Sequence, residues 1–309
     1  MKTYYAPGKV LLAGEYLVIK GMEALAFPVK LGQWLKVWSV DTQGNSKVVW
    51  EAKNSKGETW FKAEIDSDIM HANSCSDEAV AIDLVHLLQV VKSHKPQLFE
   101  HKTYRMETEC EFPTEYGLGS SSTLVVMLAQ WAQIDPFLLQ HAVFGGSGYD
   151  VAVCQTAKPV VYWLENETPC WSPFALNPEW TSDWFLCFPG QKQNSRHALE
   201  ETQDKIAAVM QDPLFKWQLD QILKGLKSPG SKVMLEAGLE MWQGILATVL
   251  GLQRSYDDLG ISPIQGGVCK YLGAWGGDIL LVNQTILDAY PQTFESMHKE
   301  SWNGFVELE

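Results

Sequence analysis

The sequence of 309 residues has few of the patterns that would settle a function at once. Its six cysteines, Cys75, Cys110, Cys154, Cys170, Cys187 and Cys269, form no C-x-x-C pair and stand at no zinc-like spacing from histidine. They read as reduced thiols of a cytoplasmic protein. Met1 to Pro7 contains no apolar signal region, and no run approaches the roughly 18 apolar residues that cross a bilayer. The Asn-x-Thr sequons at Asn166 and Asn283 are therefore expected to be chance matches. Positive charge is also scarce: the net charge is −13, which disfavours nucleic acid and anionic membrane as partners, because either would repel such a surface. There is no G-x-x-x-x-G-K-[ST] phosphate loop, no G-x-G-x-x-G in a βαβ setting, no internal repeat and no low-complexity tract. With 46% hydrophobic and 20% charged residues, the chain has the composition of a globular protein long enough for two domains.

What is present centres on Glu115-Tyr116-Gly117-Leu118-Gly119-Ser120-Ser121-Ser122-Thr123, followed by the apolar helix-forming run Leu124 to Ala132. Two glycines let backbone approach a ligand closely, and a fresh helix N-terminus leaves N–H groups unpaired. The pattern predicts an anion cradle, reinforced by the positive end of the helix dipole. The plainer alternative is an ordinary loop with Ser120 as N-cap.

Lys2 to Tyr5 reads as a short strand and Val10 to Ile19 as a second, separated by a Pro7-Gly8-Lys9 turn. Lys9 is either a solvated flank or a functional cation. Gln33 to Val40 alternates, and Gly44-Asn45 leads into Lys47 to Trp50, which predicts a hairpin buried on one face. Phe61 to Ile65 adds a strand, and Ser76-Asp77-Glu78 opens a helix to about Ser93 with Val80, Leu84, Leu87, Leu88 and Val91 at helical spacing. His86 and His94 on it are packing or surface residues rather than metal ligands. Thr103 to Cys110 alternates as a strand into the cradle. Asp135-Pro136 then starts a short helix that ends at Gly145-Gly146-Ser147-Gly148.

That second glycine cluster introduces Tyr149-Asp150-Val151-Ala152-Val153. Locally, Asp150 is favoured as an N-cap; beside a phosphate and a lysine it would orient or deprotonate an attacking hydroxyl. Val160 to Leu164 is a strand, and Glu165 to Trp180 a connector at the domain boundary, giving domains 1–170 and 171–309. The second half offers the strand Trp184 to Phe188 and helices at about Ser195 to Met210, Pro213 to Leu226 and Ser231 to Leu259. A glycine-rich stretch, Gly266 to Asp278, precedes a strand Ile279 to Val282, a helix from Thr285 and a closing strand near Phe305. Helices interleaved with few strands predict an α+β fold.

Taken together, three segments resemble the motifs of the GHMP kinase superfamily. Ala6 to Tyr16 is similar to its first motif. Pro113 to Thr123 is similar to the second, of usual form P-x-x-x-G-L-G-S-S-A/G, and Lys270 to Asp278 to the third. Gly-Glu-Tyr at 14–16 and Gly-Ser-Gly-Tyr-Asp-Val-Ala at 146–152 are closest to phosphomevalonate kinase and its mevalonate-pathway relatives. The resemblance implies a ribosomal S5-like N-terminal ATP-binding domain and a ferredoxin-like C-terminal domain. It implies that Gly117, Leu118, Gly119, Ser120, Ser121 and Ser122 hold the ATP phosphates and that Ser120 helps hold Mg²⁺. Asp150 would be the catalytic carboxylate and Lys9 its cationic partner, a pairing in which the ammonium keeps the carboxylate ionised. Substrate contacts fall to Glu15, Tyr16, Lys192, Ser195, Arg196, Gly273 and Ala274, although Gln191 to Arg196 also reads as a solvated turn.

The chain departs from the pattern in three places. Only 30 positions separate Ser120 from Asp150, position 139 is Leu139 where a second magnesium carboxylate is expected, and Trp275 replaces a glycine. The resulting expectation is an ATP- and Mg²⁺-dependent kinase of a small anionic or hydroxylated metabolite, phosphomevalonate or mevalonate foremost. The alternatives are a diphosphomevalonate decarboxylase-like enzyme and a non-catalytic nucleotide-binding protein. A homodimer stays open.

Overall fold

The computed structural model describes residues 1–190, 195–273 and 279–308, with backbone alone for residues 195–201 and 203. The chain forms two compact units, each assembled from three segments. The first comprises Met1–Gly8, Leu31–Thr114 and Leu118–Ala157, and the second Lys9–Lys30, Glu115–Gly117 and Lys158–Glu309. They interleave along the chain, whereas the sequence pattern divides it once, at 170/171.

The first unit is built on the opening of β1 (Lys2–Ala13), the latter part of β2 (Ala24–Asp41), and β3 (Lys47–Lys53), β4 (Thr59–Asp66), β5 (His71–Cys75) and β6 (Lys102–Cys110). Their order is β5-β4-β3-β6-β2. The alternation in β2 is realised in part: Leu35 and Val37 are buried and Trp34 exposed, but Gln33 is buried with them and Val40 lies exposed. Its expected hairpin with β3 is not formed. Instead β6 lies between them, antiparallel to β2, where Trp38 faces Arg105, and parallel to β3, where Trp50 faces Met106. A period of two fixes which face is buried but not which strand is the neighbour. The tight antiparallel partner of β3 is β4, across a turn in which Asn54 Oδ1 accepts from the N–H groups of Lys56 and Glu58.

β1 corrects a second expectation, since it runs unbroken through Pro7 and Gly8, both buried, where a turn is predicted. Proline is admitted to a strand where no neighbour needs its missing N–H. Four helices complete this unit: α1 (Glu78–His94), α2 (Ser120–Ala132), α3 (Pro136–Leu139), which continues as one wider turn to Phe144, and α4 (Tyr149–Thr156). Asp77 caps α1 and Asp135 caps α3 through first-turn N–H groups. Leu84, Leu87, Leu88 and Val91 bury the face of α1 that their spacing predicts.

In the second unit the opening of β2 pairs with β7 (Val160–Glu165), which turns into β8 (Thr168–Pro173). The predicted connector is thus partly a strand. Its turn residues, Asn166 and Glu167, both adopt positive φ (49° and 65°), the handedness that suits a two-residue hairpin. A separate antiparallel sheet has the order β10-β11-β9-β12, from β9 (Trp184–Phe188), β10 (Cys269–Leu272), β11 (Ile279–Asn283) and β12 (His298–Ser301).

Around this sheet stand α5 (Ser195–Gln211), α6 (Pro213–Lys227), α7 (Lys232–Leu250), α8 (Ser255–Leu259), α9 (Gln284–Ala289) and α10 (Trp302–Phe305). The long helix expected over 231–259 is two, because Gly251 takes the left-handed conformation at φ 65° and ends α7. The closing strand lies earlier than predicted, at β12, and Phe305 belongs to α10. By length and composition α7 would suffice to cross a membrane, although its apolar residues are interrupted by Glu236, Glu240 and Gln243. Its Leu235, Leu239, Trp242, Leu246 and Leu250 are buried, the pattern of a core helix, together with Trp184, Trp302 and Tyr256.

Candidate active site

The glycine-serine loop delivers an unusual helix start. Gly117 and Gly119 have φ of 65° and 88°, a conformation that costs an L side chain about 1–2 kcal/mol. Gly119 is the N-cap of α2, with no side-chain cap, so Ser120 stands inside the first turn rather than capping it. The N–H groups of Ser120, Ser121 and Ser122 donate to no acceptor among the described residues. Three open donors at a helix N-terminus are suited to an anion. Leu118 is wholly buried and offers only backbone, while Ser121 is exposed. Thr123, also wholly buried, fastens the turn by donating from Oγ1 to Gln33 Oε1 at 2.6 Å.

α4 begins in the same manner. Gly148, at φ 80°, is its N-cap, which removes the cap role from Asp150. The half-buried Asp150 lies one residue inside the helix, where Oδ1 accepts the Val151 N–H at 3.0 Å and Oδ2 accepts a short hydrogen bond from Ser122 Oγ. Ser122 is 3% exposed, so the donor side of this part-buried bond is fixed inside the unit. The first turns of α2 and α4 are thereby joined within one unit. Ser122 is the third loop serine, where the resembled motif has Ala or Gly; the sequence alone gave it a phosphate role only.

In the second unit Lys9 is half-buried in β1 and donates from Nζ to Gly117 O at 2.9 Å, so it is tied to the loop rather than left as a solvated flank. Glu15 is only 2% exposed. Its Oε1 accepts from the fully buried Lys270 Nζ, which also donates to Tyr271 O at 2.8 Å, and its Oε2 accepts from Trp242 Nε1 at 2.7 Å. The carboxylate given to substrate by resemblance is therefore engaged inside the protein. Tyr16 is buried at φ 62°. Gly14, at φ 103°, is required sterically: a Cβ there would lie 2.5 Å from Ala24 Cα and 2.7 Å from Glu23 O.

Sequence gave no sign of an aromatic stack on the loop. The Tyr116 ring lies 4.0 Å from Phe188 at an interplanar angle of 19°, and 5.7 Å from the His298 ring. Burial, with help from the carboxylates of Glu115 and Glu300, raises the Tyr116 phenol above its ordinary range. These residues are too distant in the sequence for any local pattern to pair them.

Lys192, Ala274 and Trp275 lie outside the described residues, and the side chains of Ser195 and Arg196, at the start of α5, do as well. Gly273 follows β10 at φ 79°, with open space where a side chain would stand.

The donors present fit a polyphosphate: three unpaired N–H groups with the Ser120 and Ser121 hydroxyls beside them. They also fit Mg²⁺, which keeps several waters and phosphate oxygens and needs only one or two protein oxygens. Ser120 would hold it; among the described residues no cluster of three or more His, Cys, Asp or Glu offers an all-protein cage.

No protein-family model matches the sequence, and no curated protein does. Solved structures do match the fold. The mevalonate kinase of Methanococcus jannaschii aligns with a TM-score of 0.68 at 14% identity, over 100% of this chain and 98% of that one. The Streptococcus pneumoniae phosphomevalonate kinase in complex with phosphomevalonate and AMPPNP gives 0.64 at 13%, over 97% and 99%. The mevalonate diphosphate decarboxylase of Staphylococcus aureus gives 0.61 at 14%, over 99% and 95%. With its larger and smaller sheets matched along nearly the whole length of these enzymes, the chain has the fold of the GHMP kinases.

Proposed function

We propose that the protein is a cytoplasmic, ATP-dependent phosphotransferase that acts on a small metabolite, most specifically phosphomevalonate or mevalonate. The observation that carries this reading is the Ser122–Asp150 hydrogen bond, which fastens a carboxylate to the first turn of the helix whose N–H groups are open. Those N–H groups and the Ser120 and Ser121 hydroxyls grip the nucleotide's phosphates. Asp150 orients an attacking substrate oxygen and, where that oxygen is a hydroxyl, takes its proton. Lys9 balances the charge that develops on the transferring group. Bound magnesium, held by Ser120, supplies further neutralisation of phosphate charge. In a loose phosphoryl-transfer transition state such placement and charge balance provide most of the acceleration.

The test is ADP release over a panel of mevalonate, phosphomevalonate, diphosphomevalonate and common sugars. Substrate-dependent ADP with one of the first two, and no bicarbonate, is expected. Bicarbonate alongside ADP with diphosphomevalonate would move the assignment to a decarboxylase, and saturable ATP binding without turnover on any member would leave a nucleotide-binding protein.

A further inference from the structure

A cavity of about 710 Å³ opens on one stripe of α7, in the second unit, and the phosphotransfer chemistry makes no use of it. Val233, Ala237 and Met241 recur every fourth residue and so share one helix face. Phe215 of α6 and Ile264 add to the apolar lining. Val233 and Met241 are 73% and 57% exposed and lie together along the same cavity, a contiguous apolar patch rather than scattered single residues. The volume falls within the roughly 300–1,000 Å³ typical of small-molecule pockets.

The polar part of the lining is specific. Glu236 is 7% exposed, and its Oε1 accepts from Trp184 Nε1 at 3.0 Å and Asn283 Nδ2 at 3.2 Å, with Lys232 Nζ at 3.8 Å. Its Oε2 accepts nothing among the described residues, although Glu236 lines the cavity. The other two lining charges cancel: Arg254 donates to Glu240 Oε2 at 2.6 Å, and Glu240 Oε1 is taken by Tyr256 OH and the Cys269 N–H, each at 3.1 Å. Glu236 shares an ion pair with Lys232 through Oε1, so what stays open on the wall is one unfilled carboxylate oxygen. A carboxylate in that condition gains most from a charged donor.

Gly244 supplies an independent sign. A glycine within a helix costs about 1 kcal/mol relative to alanine. A Cβ at this position would meet nothing within 4 Å, so packing does not require the glycine; it leaves the cavity floor bare.

We propose that this cavity binds a small amphiphilic amine, its ammonium on Glu236 Oε2 and its apolar body against Phe215, Val233, Met241 and Ile264. The proposal stands apart from the kinase reading, since none of these residues belongs to the loop, Asp150 or Lys9.

Isothermal titration of the full chain with 2-phenylethylamine tests it, with 3-phenylpropionate as the carboxylate control. Saturable binding of the amine and none of the control is expected. Glu236→Gln keeps an oxygen for Trp184 and Asn283 but removes the charge, and should weaken the amine by about tenfold or more. Gly244→Leu places a helix-favouring side chain in the open volume and should abolish binding while leaving the fold intact. Absence of amine binding to the wild type, equal binding of the carboxylate, or undiminished binding in Gly244→Leu would each overturn the proposal. Should Glu236→Gln fail to fold, Gly244→Leu decides alone.

Discussion

Asp77, Asp135, Asp212, Ser231 and Asn283 each accept a first-turn N–H of the helix they precede, whereas Gly119 and Gly148 offer α2 and α4 no side chain at all. The same division separates two carboxylates from the motifs. Glu15 has both oxygens filled by Lys270 and Trp242 and is sealed from water, while Asp150 is half-buried and tied to the turn that lacks a cap. A missing cap forgoes about 1 kcal/mol of stability. Polar groups that the protein satisfies for itself hold the fold together, and those it leaves open mark where it expects something else to bind.

The sharpest way to break this contrast is Asp150→Asn. Turnover should fall by roughly 10²–10⁴-fold with ATP affinity little changed, read by ADP release and by nucleotide titration; near-normal turnover would return Asp150 to the structural class. Lys270→Met is the mirror experiment. It strands Glu15 as an uncompensated buried charge and should cost about 3–5 kcal/mol in urea denaturation. A second substitution, Glu15→Leu, should restore much of that loss.

Ser122→Ala probes the link between the two classes. Removal of one hydrogen bond to a charged group should lower kcat by roughly 10–100-fold and stability by about 1.5–3 kcal/mol in the same denaturation assay. The smallest effect belongs to Asp77→Ala, which removes the α1 cap. It should lower stability by about 1 kcal/mol in the same denaturation assay and leave kcat untouched.

Much of this organisation is legible in sequence because it is local. The α1 stripe, the Asp135-Pro136 start and the glycine-serine loop each rest on residues a few positions apart. The strand order is not legible, since β6 enters between β2 and β3 from fifty residues downstream and alternation says nothing of neighbours. Nor is the closed state of Glu15, whose partners at 242 and 270 are reached only through the fold. The third loop serine is visible in sequence as an extra hydroxyl, but its bond to Asp150 depends on how α2 and α4 pack.

Gly14 carries a practical lesson. Its backbone passes so near Ala24 and Glu23 that any larger residue must push the chain aside. A saturation library scored solely by product formation would rank position 14 beside Asp150, and a chemist reading that ranking would look for a reactive role it does not have. Counting how much folded protein each clone yields, alongside its output, would sort the two: clones altered at 14 would be scarce, whereas clones altered at 150 would be abundant and idle.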